Sequence, residues 1–249
     1  MKLRLAFPLT LALVGPVSAL ELDQLTDQER ILFRQEVRSY LLENPQVLQE
    51  AISVLQERDR LEQLQRDAAL AQANAEAIRN DGYSFVGGNP DGDVTIVEFL
   101  DYRCGFCKRA FPEVAALIER DPNVRLIVKE FPILGEQSVL ASRFAIATQQ
   151  VAGEAAYKDV HDTLMEFQGD ISQQTLNRLG DVLGLDTAAI VAEMDSDTVN
   201  RIIAENRDLA QRLQISGTPT FIFEDQMVRG YVELAQMEAL IDDLRATAQ

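Results

Sequence analysis

The sequence predicts an α/β domain that carries a helical insert and is preceded by an N-terminal helical extension. Three observations predict it. Residues 21–80 contain no glycine and a single proline, Pro45, and read as helix throughout. Two runs rich in β-branched residues, Val94–Leu100 and 124–128, flank a helical segment, an order that implies a parallel pair with a crossover helix. Five amphipathic helices then follow before two short closing strands. The expected divisions are a leader at 1–19, a helical extension at 20–80 and a domain at 81–249 whose insert spans about 136–214.

The leader is read from Lys2 and Arg4, an apolar run from Leu5 to Val17, and the small residues Ser18 and Ala19. That run is too short to span a bilayer as a helix, so it reads as a secretory signal and the remainder as exported, soluble and periplasmic. Apolar content of 47% argues against disorder. Net charge is −17, falling to −19 once Lys2 and Arg4 leave with the leader. Such acidity carries no electrostatic footprint for nucleic acid.

Each element has its own signal. Thr26-Asp27-Gln28-Glu29 has the form of a capping box and opens a helix carrying Ile31, Leu32, Val37 and Leu41. Asn44-Pro45 ends it. A second helix, expected to run on to about residue 80, places Val47, Val54, Leu61, Ala68 and Ala75 seven apart, with Leu64, Ala71 and Ile78 as a companion stripe. Two stripes at that spacing form a seam for another helix, which implies a homo-oligomer built through residues 21–80. Asp81-Gly82 and Gly87-Gly88-Asn89-Pro90-Asp91-Gly92 read as a loop-rich boundary. A strand at Val94–Leu100, a helix at 108–120 and a strand at 124–128 follow. The insert reads as helices at 138–150, 154–167, 172–183, 187–194 and 198–213. Strands at Thr220–Phe223 and 227–232 form a hairpin through Glu224-Asp225-Gln226, and a helix at 234–245 closes the chain.

The chemistry sits in Cys104-Gly105-Phe106-Cys107, which holds the chain's two cysteines. A pair three residues apart closes almost no loop and stabilises almost nothing by chain entropy, so it is not a structural staple. Cys104 follows a strand and opens a helix, where unpaired N–H groups and the helix dipole favour a thiolate. One turn on, Cys107 is placed to close a short, reducible disulfide and to resolve a mixed disulfide formed at Cys104. The side chains of Gly105 and Phe106 bring no charge or hydrogen-bond donor to the thiolate, so the couple is expected to be less oxidising than the most oxidising enzymes of this kind. The competing reading of two spaced thiols is metal binding. A zinc site needs four ligands, and the chain adds only His161, whose mid-helix setting marks an ordinary surface or boundary residue without a role. Cu(I) could use two thiolates alone. No cofactor and no resident metal are expected.

These features resemble the thioredoxin superfamily, and within it the DsbA-like branch. The likeness rests on the strand and motif from Val97 to Cys107, on Pro112 in the following helix, on Ser216-Gly217-Thr218-Pro219-Thr220 and on the segment from Lys129 to Gly135 that enters the insert. It implies a thioredoxin-like fold, a cis-proline at Pro219 lying against the cysteines, and Thr218 pairing with substrate, with Phe106 as a second client-binding residue. Glu98, six residues before Cys104, matches a buried acid that helps move the proton of the resolving thiol. An acid in an apolar strand should hold its proton unusually high, which suits that task; the other reading is an edge glutamate facing solvent. The extension, especially Ser39 to Pro45, resembles that of ScsC-like proteins, which implies oligomerisation, disulfide shuffling and a link to copper tolerance. Many of that group have tyrosine or histidine where this chain has Phe106. The resemblance therefore implies a disulfide isomerase or oxidase acting on exported clients with cysteines and served by a membrane redox partner. A copper(I)-binding protein or a holding chaperone on the same fold is the alternative.

Overall fold

The computed structural model describes residues 25–247; the leader expected at 1–19 lies outside the described residues. Two compact units divide between Arg58 and Asp59. The first holds α1 (Asp27–Glu43) and the start of α2 (Gln46–Ala73). Thr26 caps α1: its hydroxyl accepts from Glu29 N–H while the Glu29 carboxylate accepts from Thr26 N–H. No residue of α1 is buried.

The second unit is built on a five-stranded sheet in the order β1-β3-β2-β4-β5. Its strands are β1 (Phe85–Gly88), β2 (Val94–Leu100), β3 (Val124–Glu130), β4 (Thr220–Phe223) and β5 (Gln226–Arg229). β2 and β3 are parallel, with Glu98 opposite Val128 and Leu100 opposite Glu130, and the remaining pairs are antiparallel. All seven residues of β2 are buried, as befits a central strand covered on both faces.

Alternation along the strands separates two cores. Ile96, Leu100, Val124, Leu126, Val128, Phe221 and Phe223 face one side, with Ala110, Val114 and Leu117 of α4 (Gly105–Arg120) and Met237 and Ile241 of α10 (Leu234–Thr247). Val97, Phe99, Ile127 and Ile222 face the other. There they meet Ala71 of α2, Ile78 of α3 (Ala75–Arg79) and Leu209 and Ala210 of α9 (Asp197–Arg212). The insert between β3 and β4 comprises α5 (Glu136–Ala152), α6 (Glu154–Glu166), α7 (Gln173–Val182), α8 (Thr187–Glu193) and α9.

Four expectations are corrected. The second helix does not run unbroken to residue 80: Asn74 interrupts it, turning its side-chain amide onto the Leu70 carbonyl while its side-chain oxygen accepts from Arg212. The companion stripe therefore divides. Ala71 and Ile78 are spent on the chain's own sheet, whereas Leu64 remains exposed, as do Val54 and Leu61 of the first stripe. The loop-rich boundary contains an edge strand, β1, whose Gly87 and Gly88 hid it; Gly88, at a φ of 66°, lies so close to the Val124 carbonyl that a side chain would collide with it. The last hairpin is shorter than expected, with β5 ending at Arg229.

Candidate active site

The end of β2 delivers Cys104 through a turn organised by Asp101. The buried Asp101 carboxylate accepts from the N–H groups of Arg103 (2.7 Å), Ile133 (2.8 Å) and Leu134 (3.0 Å), and the Asp101 carbonyl accepts from Cys104 N–H. One side chain thus shapes the approach to the motif and ties it to the segment after β3. Cys104 is the N-cap of α4, with an extended backbone and Sγ 3.4 Å from the Cys107 amide nitrogen, which donates to it. Both cysteines are free thiols.

The two sulfurs have opposite environments. Cys104 is lowered to about 5, chiefly by the hydrogen bond from the Cys107 thiol. Burial opposes this, while the Thr218 side chain and the amides of Cys107 and Phe106 add to the lowering. Cys107 is wholly buried and its thiol is pushed far up, first by burial, then by its hydrogen bond to Cys104 and the nearby charge of Glu98. One cysteine is therefore a thiolate at neutral pH and its neighbour a thiol.

The loop before β4 closes the site. The Thr218–Pro219 peptide is cis, and the Thr218 carbonyl accepts from the Cys104 thiol at 3.1 Å. When Cys104 ionises that donor is gone, and the Thr218 side chain adds to the Cys107 thiol in steadying the sulfur. Phe106 stands 60% exposed beside the motif. Pro112 lies within α4. Glu98 sits on the α4 face of β2, 4% exposed, and among the described residues its Oε1 has no hydrogen-bond partner. Burial lifts its carboxyl to about 8, with the charges of Cys104 and Glu130 adding to the rise. Cys104, Cys107, Thr218 and Glu98 thus come together, with Phe106 on the outer rim.

Several residues at the site carried little or no signal in the sequence. Lys108 Nζ donates to the carbonyls of Leu164, Met165 and Phe167, and Arg103 donates to that of Gly169, so cations on both sides of the motif hold the end of α6. Glu130 is buried on β3 and accepts from Tyr102, Tyr157 and Ser142. An acid in an apolar strand was its only signal, the same one that singled out Glu98. His161 corrects its expected surface or boundary setting: α6 turns it inward, 6% exposed, with Nδ1 3.1 Å from the Tyr102 hydroxyl. Burial lowers it to about 3, so the ring is neutral. Among the described residues no cluster of three or more His, Cys, Asp or Glu could hold a metal ion.

With this geometry in place, residues 95–242 match the DSBA-like thioredoxin domain. The chain belongs to that DsbA-like family. Residues 29–67 of this DsbA-like chain also match the copper resistance protein ScsC N-terminal domain. A thioredoxin-like oxidoreductase from Silicibacter pomeroyi is 42% identical, with a TM-score of 0.66, over 70% of this chain and 98% of that one. ScsC of Proteus mirabilis in a transitional conformation is 28% identical, with a TM-score of 0.65, over 90% and 100%. Disulfide bond formation protein D of Bacillus subtilis is 29% identical over 62% of this chain and 74% of its own length. Of the curated Na(+)/H(+) antiporters it also matches, such as that of Salinispora tropica, the DsbA-like chain spans only 25% of the length. Among the described residues no helix is long and apolar enough to cross a membrane.

Proposed function

We propose that the chain is a periplasmic thiol–disulfide oxidoreductase acting on exported proteins with cysteines. The observation that carries this reading is the asymmetry of one helical turn: an ionised Cys104 at the N-terminus of α4 and a buried, protonated Cys107 behind it. Cys104 attacks a client disulfide and forms a mixed disulfide; Cys107 then attacks Cys104 and releases the client. Thr218 pairs with the client backbone beside Pro219, Phe106 gives the client an apolar surface, and Glu98 accepts the proton of Cys107.

The direction we propose is isomerisation by a homo-oligomer assembled through residues 21–80. The exposed apolar residues of α1 and early α2 support this, as does the name of the domain matched at 29–67. Several reduced sites around one client let Cys104 attack repeatedly, and a membrane redox partner keeps the pair reduced. Export rests on the leader-like pattern of residues 1–19.

The test is refolding of a scrambled multi-disulfide substrate by the reduced protein. Activity is expected, lost in Cys104→Ala, with Cys107→Ala accumulating mixed disulfides. A Cys107→Ala variant that traps no client sinks the assigned roles.

A further inference from the structure

Three chain segments meet around Cys104: the motif at 101–109, the turn at 131–135 and the loop at 214–220. The turn and the loop contain no charged residue. The motif contains Arg103, Lys108 and Arg109, and a single acid, Asp101, which is buried and accepts from three backbone N–H groups. The rim of the site is therefore cationic, on a chain whose net charge is −17, or −19 without the leader.

Two of these cations face solvent. Arg103 is exposed on the flank of the insert, where Nη1 donates to the Gly169 carbonyl at 2.5 Å. Arg109 is on the flank of α10, its Cζ 4.1 Å from the centre of the Tyr231 ring. Its side chain is 60% exposed, with the Glu233 carboxylate no nearer than 4.0 Å. Lys108 is half-buried, its ammonium spent on the carbonyls at the end of α6. On so acidic a chain other arginines find carboxylates: Arg120 pairs with Glu238, Arg201 with Glu205, and Arg245 with Asp93 and Asp121. Among the described residues Arg103 holds only a carbonyl, and Asp170, next to Gly169, is met by Gln137 instead. A single surface arginine is ordinarily a solvated charge. Two, on different flanks of one nucleophilic sulfur, leave a charge pattern for something else to match.

We infer that Arg103 and Arg109 set client specificity, favouring a cysteine flanked by Asp or Glu in an extended segment over one flanked by Lys or Arg. This rests on the proposed oxidoreductase reading and names the class of its substrate. Net charge and rim charge predict opposite preferences, so distance decides between them. The unit from Asp59 to Gln249 is of a length whose radius of gyration is about 16 Å. The Debye length at 0.15 M salt is about 8 Å, so acids across the unit are screened from the site. Two residues of an extended client span about 7 Å, which keeps its flanking charges within reach of the rim. Complementary charge acts on the rate of encounter. Phe106, Ile133 and Leu134, exposed at the same rim, add apolar contact without charge.

The test uses the reduced full chain and three synthetic peptides. Each has one cysteine, joined to 2-thiopyridine in a disulfide, and they differ only in carrying Asp, Ser or Lys two positions to either side. The Cys104 thiolate attacks the peptide sulfur; the bond to thiopyridine breaks, and its electron pair leaves as thiopyridone, followed by stopped-flow absorbance. Cys107, losing its proton, then attacks Cys104 Sγ, and the peptide leaves with that electron pair as a thiol. At 0.15 M salt the Asp peptide should react about fivefold faster than the Lys peptide, with Ser between. At 1 M, where the Debye length is about 3 Å, the ratio should fall below about twofold.

Arg109→Glu, which removes no hydrogen bond of the motif, should lower the ratio at 0.15 M to about twofold. Combined with Arg103→Glu it should reverse the preference. Arg120→Glu makes the same change in net charge at the far end of α4, about 24 Å from Cys104 at 1.5 Å per residue, and should keep the wild-type ratio. A ratio uses each variant as its own reference, so a general loss of rate does not disturb it. A wild-type ratio of one or below, an unaltered ratio in the double variant, or an equal fall in Arg120→Glu overturns the inference. A wild type that releases thiopyridone but never frees the peptide thiol overturns the proposed function and this inference with it.

Discussion

Cys104 and Cys107 are the same residue three positions apart, and their surroundings give them opposite behaviour. Cys104, lowered to about 5, lies between the about 7 of thioredoxin and the about 3.5 of DsbA. The couple should accordingly have a potential between about −270 and −120 mV, measured against a glutathione buffer. A value as high as that of DsbA would contradict the expectation drawn from Gly105 and Phe106. Because the folded thiol ionises below the unfolded one, this group's stabilisation of the reduced protein is fully present above about pH 8.5. It is lost as pH falls through about 5, and thiolate absorbance should titrate there. Glu98 has the opposite sign. A carboxyl raised to about 8 costs stability as pH climbs from the ordinary carboxylate range toward 8. Glu98→Gln should match wild type in urea unfolding at pH 4 and exceed it by about 1–3 kcal/mol at pH 9; equal stability at pH 9 would mean the carboxylate is solvated. Glu98 was legible because an acid stands out in a run of Val, Ile and Phe. His161 was not, since a lone histidine on an amphipathic helix says nothing of the tyrosine that will satisfy it. Asp101 was equally silent, because two of its partners are the backbone groups of Ile133 and Leu134, far along the chain.

Among the elements, α6 depends on a cation that belongs to another helix. Its C-terminal carbonyls end inside the structure, where unpaired acceptors are costly, and Lys108 supplies one ammonium to three of them. The same lysine directly follows Cys107, so the active-site helix and the insert share one fastening. Lys108→Met keeps the aliphatic stem and removes the donors. It should lower stability by about 1.5–3 kcal/mol and speed amide exchange in the 164–169 segment; unchanged exchange there would show that water replaces the lysine without loss. Regular elements were legible wherever periodicity was strong, as in β2 and the helices of the insert. The elements that were missed or misjudged depend on tertiary contacts. β1 contains two glycines and exists because β3 offers it an edge. The break at Asn74 has no proline or glycine to announce it, and is held by an amide and by Arg212 from α9.

For the whole molecule, the decisive quantity is the apolar surface left without a partner. Isolated helices of about 12–15 residues are marginal in water, and α1, at 17 residues, buries none of its own. Ile31, Leu32, Val37, Val54, Leu55 and Leu61 are each more than 40% exposed. A self-associated chain would cover them; a monomer would leave them in water at about 25 cal/mol for each Å². Light scattering of the chain without residues 1–19 should therefore give a mass that is a whole multiple of the monomer's. Val54→Glu combined with Leu61→Glu places charges in the seam and should shift that mass to the monomer. Cys104 alkylation should be unchanged in the double variant, while refolding of scrambled substrate should fall sharply, because one site cannot hold and reattack a misfolded client. Net charge sets the sign of the salt effect. Copies that each carry −17, or −19 without the leader, repel one another, and salt screens that repulsion with a Debye length of about 8 Å at 0.15 M. Association should strengthen from 20 mM to 300 mM salt, opposite to an assembly held by ion pairs. A monomeric wild type at both salt concentrations would remove the oligomer, and with it the physical basis for preferring isomerisation over simple disulfide donation.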